Sequence, residues 1–184
     1  MSETKKLVVG ISGGSGAMLA IRLLEILRQT EWEVHVTITK TAEQVIEHET
    51  EYDIEELHDL ATKVYRPDDF FAPFASGSYP VHAMVVIPCS MKTLAGIAQG
   101  YSDNLLLRAA DVCLKERRKL VLVTRETPLS LVHLENMRRV ALAGGLIMPP
   151  MLTMYTMPKG IDEMIEQFVN RLLDTLGIDR KAVG

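Results

Sequence analysis

The sequence predicts an α/β fold: a single doubly wound parallel sheet with helices on both faces. Short apolar runs typical of buried strands alternate along the chain with segments whose apolar residues recur at helical spacing. This alternation favours parallel strands joined by right-handed crossover helices, as in Rossmann- and flavodoxin-like proteins. With 184 residues and 47% hydrophobic content, the chain is expected to form one domain, residues 1–184, with a substantial core.

The first strand and helix flank a glycine-rich turn. An apolar run at residues 7–11 ends in Ser12-Gly13-Gly14-Ser15-Gly16, and apolar residues then recur at helical spacing from residue 17 to residue 27. Such a turn brings backbone N–H groups and a helix N-terminus against a phosphate, because glycine permits close approach and positive φ. The turn matches neither GxGxxG nor the GxxxxGK[ST] phosphate loop. It therefore predicts a phosphate or nucleotide site, and a plain tight turn between strand and helix is the alternative.

The downstream sequence predicts four more strands and their helices. Strands are expected at residues 33–40, 83–88, 119–124 and 146–148. Helices are expected at residues 41–49, from residue 90 to about 99, from about 103 to about 118, at 130–143 and at 161–176. Ser102 or Asp103 is expected to cap the helix that starts near residue 103. Residues 51–59 are acidic and are expected to form a solvated helix face. Residues 65–80 hold three prolines and three of the four phenylalanines, which predicts a lid or binding loop, or packing under a neighbouring subunit.

The carboxyl ends of the predicted strands select the residues that can meet a ligand, because open α/β sheets bind ligands there. Five segments are expected to converge on one crevice: residues 13–16, 39–40, 88–93, 124–129 and 149–158. Ser90–Thr93 is a second small, polar turn entering a helix, which predicts either ligand contact or N-capping by Ser90. Arg125 and Glu126 follow a buried strand directly, and we expect this pair to face the crevice rather than pair elsewhere.

Two cations share one face of the helix predicted from about residue 103. Arg108 and Lys115 are seven residues apart, about 10.5 Å along a helix axis, with Asp111 between them. A ladder of salt bridges is one interpretation. Because Arg108 lies within the apolar run LLLRAADVCL, we favour contact with a substrate phosphate or a subunit interface.

Other residues carry weaker signals. His133 is interpreted as a packed or capping histidine. Methionines 148, 151, 154 and 157 favour adaptable packing at a subunit contact.

Composition and charge exclude several classes of function. The net charge of −4, with both signs interspersed, gives no electrostatic case for binding nucleic acid or an anionic membrane. No uncharged run approaches the ~20 residues that span a bilayer. The N-terminal residues lack the apolar segment of a signal peptide, so none is expected. Cys89 and Cys113 have no partners at ligand spacing, so neither a disulfide nor a metal site is expected, and a reducing cytoplasm fits.

The chain resembles the UbiX-type flavin prenyltransferases over nearly its whole length. The resemblance rests on GISGGSGA at residues 10–17, VTITK ending at residue 40, ASGS at 75–78, VIPCSMKTLAGIA at 86–98, LLLRAADVCLKERRKLVLVTRETPLSLVHLENM at 105–137, and a tyrosine before a proline at 155–158.

This resemblance implies a reaction and a set of ligands. Reduced FMN would be joined at N5 and then C6 to the five-carbon group of dimethylallyl phosphate, without a metal, giving prenylated FMN for a UbiD-type decarboxylase. The implied FMN contacts are Gly13, Gly14, Ser15, Thr39, Ser90, Met91, Lys92, Thr93 and Arg125. The implied substrate-phosphate contacts are Arg108, Lys115, Glu126, Tyr155 and Arg171, some of them from neighbouring subunits of a homo-oligomer, usually a dodecamer built from trimers.

The resemblance also implies catalytic roles. Ser15 and Glu49 would handle protons near the flavin, while Lys115 and Glu126 would help a phosphate to leave, since a departing phosphate needs cations and a proton donor.

The sequence departs from the family pattern in four places. Gly14 stands for a usual alanine and Thr39 for a usual serine, while Leu152-Thr153-Met154 precedes Tyr155 where the family has smaller residues and a phenylalanine. The chain ends at Gly184 without the arginine- and tryptophan-bearing tail common in the family. We therefore expect altered geometry around the prenyl group.

Two alternative functions remain at this stage. One is a flavin-dependent oxidative decarboxylase, which would need a PASANT-like motif where this chain has PCSMKT at residues 88–93. The other is a non-catalytic FMN carrier or assembly subunit of a hydroxyaryl acid decarboxylase.

Overall fold

A computed structural model describes residues 4–151 and 153–179 of the chain. Within these residues six strands form one parallel sheet: β1 Lys6–Ile11, β2 Glu33–Ile38, β3 Lys63–Tyr65, β4 Ala83–Cys89, β5 Lys119–Thr124 and β6 Leu146–Ile147. The helices are α1 Ala17–Leu27, α2 Lys40–Glu49, α3 Ile54–Asp59, α4 Met91–Gln99, α5 Leu105–Lys115, α6 Leu131–Leu142 and α7 Ile161–Leu176, with a short 3₁₀ helix at Pro73–Ala75. The predicted departures at Leu152 and at the C-terminal end of the chain lie outside the described residues.

The strand order is β3-β2-β1-β4-β5-β6, with every neighbouring pair parallel. The chain winds from β1 outward to β3 and then returns to place β4 on the other side of β1. The winding direction therefore reverses between β1 and β4, which makes the carboxyl ends of these two strands the topological switch point. The predicted doubly wound parallel sheet is confirmed.

Two apolar clusters cover the two faces of the sheet. On one face, Leu7, Val9 and Ile11 of β1 pack with residues of α1 and α7. On the other, Val8 packs with residues of α4 and α5. The alternation along β1 sends successive side chains to opposite faces, and both faces are buried, which explains why the strand reads as an unbroken apolar run.

One strand was missed in the sequence, and the N-cap of one helix was misplaced. The strand β3 was not predicted, because it has only three residues and a single buried side chain, Tyr65, and depends on pairing with β2. Asn104, rather than Ser102 or Asp103, caps α5 by accepting a hydrogen bond from the backbone N–H of Leu107 at 2.9 Å.

The proline-rich segment 65–80 is anchored at several points. Phe74 is buried in the core, and the Tyr79 hydroxyl is hydrogen-bonded to His35 Nε2 at 3.1 Å. On its other side, Arg118 Nη2 donates to the Gly77 carbonyl at 2.6 Å. Between these anchors the segment is largely exposed, and Phe71 is 98% exposed.

No helix in the described part of the chain is long and apolar enough to cross a membrane.

Candidate functional site

The glycine-rich turn leads into α1 without a side-chain cap of its own. Gly16 occupies the N-cap position at φ +104°, a left-handed conformation that favours glycine. The cap comes instead from Glu49, the last residue of α2. Its Oε2 accepts hydrogen bonds from the backbone N–H groups of Gly16 at 2.8 Å and Ala17 at 3.1 Å.

The Glu49 carboxylate is held in its ionised form. Burial alone would raise the pKa of Glu49, but the hydrogen bonds that it accepts from the Ser15 hydroxyl and from the N–H groups of Gly16 and Ala17 outweigh that effect, and the charge of Arg125 adds to them. The net result is a pKa below the ordinary value for glutamate. The structure thus brings together Ser15, Glu49 and Arg125, three of the predicted site residues.

The second predicted turn lies against the first. Ser90 caps α4, its hydroxyl accepting from the Thr93 N–H at 3.2 Å. A Cβ added to Gly14 would lie only 3.3 Å from Pro88 Cβ and 3.6 Å from the Ser90 nitrogen, so the two turns are in close contact at the switch point. N-capping by Ser90 is therefore present, and it leaves the residue at the edge of a cleft.

Three helix N-termini converge on that cleft, which has a volume of about 400 Å³. The capping residues Thr39 of α2, Ser90 of α4 and Asn104 of α5 all line it. Each N-terminus contributes unpaired N–H groups and the positive end of a helix dipole. Lys40 and Lys92 bring positive charge to this polar cleft, while the carboxylates of Asp68, which pairs with Arg66, and Asp103 bring negative charge. The three helix N-termini are therefore what makes the cleft suited to an anion. Its remaining lining residues are Gly13, Thr41, Pro67, Thr93 and Leu107.

Gly13 allows the turn to form the floor of the polar cleft. A Cβ at this position would lie 2.5 Å from Thr41 Cγ2 and 2.8 Å from Thr41 Cβ, so any side chain would collide with the first turn of α2. The backbone can therefore approach a ligand here only as glycine.

A second cleft of about 540 Å³ lies on the other side of the glycine-rich turn. Ser15, Gly16 and Arg125 form its polar end. The rest of its lining is mostly apolar and comes from α1, the loop after β6, and α7: Met18, Leu19, Pro150, Met151, Ile161, Met164, Ile165 and Phe168. The predicted convergence is thus found at one edge of the sheet, but as two adjoining clefts rather than one crevice.

The predicted phosphate-binding residues do not come together within one chain. Arg108 is half-buried on α5, where its Nε donates to the Ala75 carbonyl at 3.0 Å and its Nη1 pairs with Asp111 at 2.9 Å. Lys115 ends α5 beside Glu116, close to the start of β5, whereas Glu126 follows the end of β5. Lys115 and Glu126 therefore lie at opposite edges of the sheet, about 15–20 Å apart along the strand direction.

The remaining two substrate-binding candidates are also separate. Tyr155 is 89% exposed on the loop before α7. Arg171 is exposed on α7, about 15 Å along the axis from its first residue, Ile161, which lines the apolar cleft.

Some residues of the polar cleft were not predicted from the sequence. Asp68, Asp103 and Asn104 line it, although they follow no predicted strand. Asn104 carried a detectable signal, since asparagine before an apolar helical stretch is a strong N-cap. Asp68 carried none, because it reaches the cleft through the hydrogen bond from Leu105 N–H to the Pro67 carbonyl at 2.7 Å.

His133 has the capping role expected of it. Its Nδ1 accepts from the backbone N–H of Ser130, and the Ser130 hydroxyl accepts from the N–H of His133.

Both cysteines lie in apolar surroundings that keep their thiols protonated. Burial raises the pKa of the Cys89 thiol far above its ordinary value and that of Cys113 to about 12, so neither is a thiolate at neutral pH. Across residues 4–151 and 153–179, no group of three or more His, Cys, Asp or Glu side chains is placed to hold a metal ion.

Comparison with known proteins defines first the class and then the family. The Flavoprotein family model matches residues 1–176. A flavin prenyltransferase UbiX from Methanocaldococcus jannaschii is 48% identical over 174 residues, which cover 95% of this chain and 94% of that protein. The chain belongs to the UbiX flavin prenyltransferase family of flavoproteins, and the predicted resemblance is confirmed.

Two solved structures share the fold closely. AnUbiX (PadA1) in complex with FMN and dimethylallyl pyrophosphate superposes with a TM-score of 0.95 at 44% identity, covering 99% of this chain and 97% of that one. A dodecameric FMN-dependent UbiX-like decarboxylase from Escherichia coli O157:H7 gives a TM-score of 0.93 at 47% identity, covering 95% and 96%.

Proposed function

We propose that this protein is a flavin prenyltransferase, which transfers the dimethylallyl group of dimethylallyl phosphate to reduced FMN and so makes prenylated FMN for a UbiD-type decarboxylase. The observation that carries the proposal is the pairing of a polar, anion-suited cleft with an apolar cleft across one glycine-rich turn at the switch point. Membership of the UbiX family supports the same reaction.

The residues present fit FMN. A phosphate bearing two negative charges suits the polar cleft, where three helix N-termini, Lys40 and Lys92 meet. Gly13 keeps the floor of this cleft open, and the polar cleft adjoins the turn that carries Ser15. When bound, reduced FMN supplies the nucleophilic atoms of the reaction. The predicted cofactor residues Gly13, Thr39, Ser90, Lys92 and Thr93 would then meet the phosphate end, and Ser15 and Arg125 the ring end.

The groups that would release the substrate phosphate are proposed to assemble from several copies of the chain. Arg108, Lys115 and Arg171 supply positive charge, and Tyr155 and Glu126 supply hydroxyl and carboxyl groups, but one chain leaves them apart. Glu126 is exposed in the single chain, so the burial that favours a protonated carboxyl must come from substrate or a neighbouring copy. A homo-oligomer is therefore part of the proposal, and the dodecameric relative suggests its size.

We also propose that the protein acts in the cytoplasm. Its two free, buried cysteines fit this compartment, because the reducing cytoplasm keeps thiols unpaired.

The decisive experiment is anaerobic incubation of the purified protein with reduced FMN and dimethylallyl phosphate, followed by mass spectrometry of the released flavin. The expected product is heavier than FMN by one five-carbon prenyl unit, with release of inorganic phosphate. Matched reactions lacking the prenyl donor or the reductant should return unchanged FMN. Unchanged FMN in the complete reaction, with FMN still bound tightly, would replace this proposal with the carrier function.

A further inference from the structure

Ser12 joins the two turns that the proposed function assigns to FMN. It follows β1 directly, and its side chain is 1% exposed. Its hydroxyl donates a hydrogen bond to the Pro88 carbonyl at 2.9 Å and accepts one from the backbone N–H of Ser90 at 2.8 Å. Both hydrogen-bonding functions of the hydroxyl are thus used between β1 and the end of β4.

These bonds begin where the strand pairing stops. Residue pairing between β1 and β4 extends from Leu7 opposite Ala83 to Gly10 opposite Val86 and goes no further. Beyond that point each chain segment leads into its own turn. The Ser12 backbone N–H, which donates to the Pro88 carbonyl at 3.2 Å, and the Ser12 hydroxyl continue the connection between them.

The position of Ser12 couples both turns to one side chain. On its own turn, the Ser12 carbonyl accepts from the Gly14 N–H at 2.9 Å. On the other, Ser90 is held by its backbone N–H while its hydroxyl caps α4 and donates to Thr93 Oγ1 at 3.1 Å. The distance between the floor of the polar cleft and the N-terminus of α4 therefore depends on this hydroxyl.

We propose that Ser12 is a positioning residue that sets the spacing of the two FMN-binding turns, although it lines neither cleft. The inference rests on the proposed function for the identity of the ligand. Removing the hydroxyl would leave the half-buried Ser90 N–H without its partner and free the turns to separate. The side chains of both clefts would be unchanged.

The test is the dissociation constant for FMN, measured by quenching of flavin fluorescence well below the unfolding temperature. We expect Ser12→Ala to raise this constant about tenfold and to alter the visible circular dichroism of bound FMN. Thr37→Val is the matched control, because Thr37 carries a buried hydroxyl without a hydrogen-bond partner on the neighbouring strand β2. This control should bind FMN within about twofold of the wild-type protein.

A second variant guards against misfolding. Ser12→Cys keeps the size of the side chain but forms only weak hydrogen bonds, so it too should bind FMN more weakly. Wild-type affinity for FMN in a folded Ser12→Ala or Ser12→Cys protein would overturn the positioning role of Ser12 and leave the proposed function unaffected. Failure of the wild-type protein to bind FMN at all would overturn the proposed function and this inference with it.

Discussion

Glu49 connects the carboxyl end of one helix to the amino end of another through a single oxygen atom. It ends α2, and its Oε2 accepts hydrogen bonds from the N–H groups of Gly16, the N-cap of α1, and Ala17, its first residue. A negative charge at a helix N-terminus is stabilising by about 0.3–1 kcal/mol. The residue named in the sequence analysis for proton handling therefore also has a structural role, and the two roles can be separated experimentally.

Replacing Glu49 with glutamine should lower the free energy of unfolding at pH 7 by about 0.5–1 kcal/mol, because the amide still accepts hydrogen bonds but the charge is lost. The folded-state pKa of Glu49 is below that of the unfolded chain. The difference in free energy of unfolding between the wild-type protein and Glu49→Gln should therefore be complete above the unfolded-state pKa of about 4.3. It should disappear as the pH falls through the lower folded-state pKa. Urea unfolding of both proteins between pH 3 and 7 at low salt measures this difference.

Glu47→Gln, an exposed change on the same helix, is the control and should show no such pH-dependent difference. A gap between the wild-type protein and Glu49→Gln that is the same at every pH would contradict the assignment of the charge to the α1 cap.

Glu126 is proposed to act in the reaction rather than in the fold. In the single chain its carboxylate accepts only a local hydrogen bond, from the backbone N–H of Thr127 at 3.0 Å, among the contacts of the described residues. Glu126→Gln should therefore bind FMN normally and lower turnover by about 10²–10⁴-fold, the usual contribution of general acid–base catalysis. Fluorescence titration and the prenyl-transfer reaction measure the two effects.

Glu135→Gln, an exposed change on α6 next to Arg138, provides the comparison and should keep full turnover. If Glu126→Gln turns over at the wild-type rate, Glu126 has been given the wrong role.

At the scale of elements, α1 depends on the backbone conformation of Gly16. A residue with a Cβ at φ +104° is strained, although the space around this position is open, with the nearest added contact at 3.4 Å from Leu19 Cδ1. Gly16→Ala should therefore lower the free energy of unfolding by about 1–2 kcal/mol through conformational strain rather than collision. Chemical denaturation of the flavin-free protein measures the change.

Gly160 offers a matched comparison, because it too is an N-cap glycine. It caps α7 at φ −172°, an extended conformation open to any residue, and a Cβ there would meet nothing within 4 Å. Gly160→Ala should change the free energy of unfolding by less than about 1 kcal/mol, because the lower entropy of the unfolded chain with alanine opposes alanine's weaker N-capping, a loss that Gly16→Ala shares. Equal destabilisation of both variants would show that φ at Gly16 is not the cause.

Local patterns predicted most elements, while contacts between distant segments escaped them. Periodicity located α7 at Ile161–Leu176 correctly, and N-capping by Ser90, one of the two roles predicted for it, is present. The cap of α1 could not be predicted, because Glu49 lies 33 residues from Gly16 and reaches it only once the sheet has placed α2 beside α1. The hydrogen bonds of Ser12 span 76 and 78 residues and were missed for the same reason.

At the scale of the whole molecule, the single chain leaves large apolar side chains in solvent near the substrate-binding candidates. Leu131 and Leu142 of α6 are mostly exposed, as are Met151, Met154 and Met157 around Tyr155. Patches of this kind usually mark protein contacts. They agree with the proposal that neighbouring copies complete the active site. Packing at a subunit contact, which the sequence predicts for these methionines, stays a prediction.

Lys115 and Glu126 provide the sharpest test of a shared active site, because Lys115 lies near the amino end of β5 and Glu126 follows its carboxyl end. If both act on one substrate, they come from different chains. Lys115→Ala and Glu126→Gln should each be nearly inactive as pure oligomers. Co-expressed with different tags and purified through both, the two variants should regain about a quarter of wild-type activity, since random mixing restores both residues at one site in four.

The control for this experiment is co-expression of two differently tagged chains that both carry Lys115→Ala, which should remain inactive because no site then contains the lysine. Size-exclusion chromatography before and after mixing establishes that the oligomers are intact. Mixed oligomers of Lys115→Ala and Glu126→Gln with no recovered activity would mean that the two residues do not serve a common site across subunits. In that case the substrate phosphate would have to leave with the help of groups from one edge of the sheet alone, and Arg125, which already lies beside Ser15 and Glu49, would be the cation to examine next.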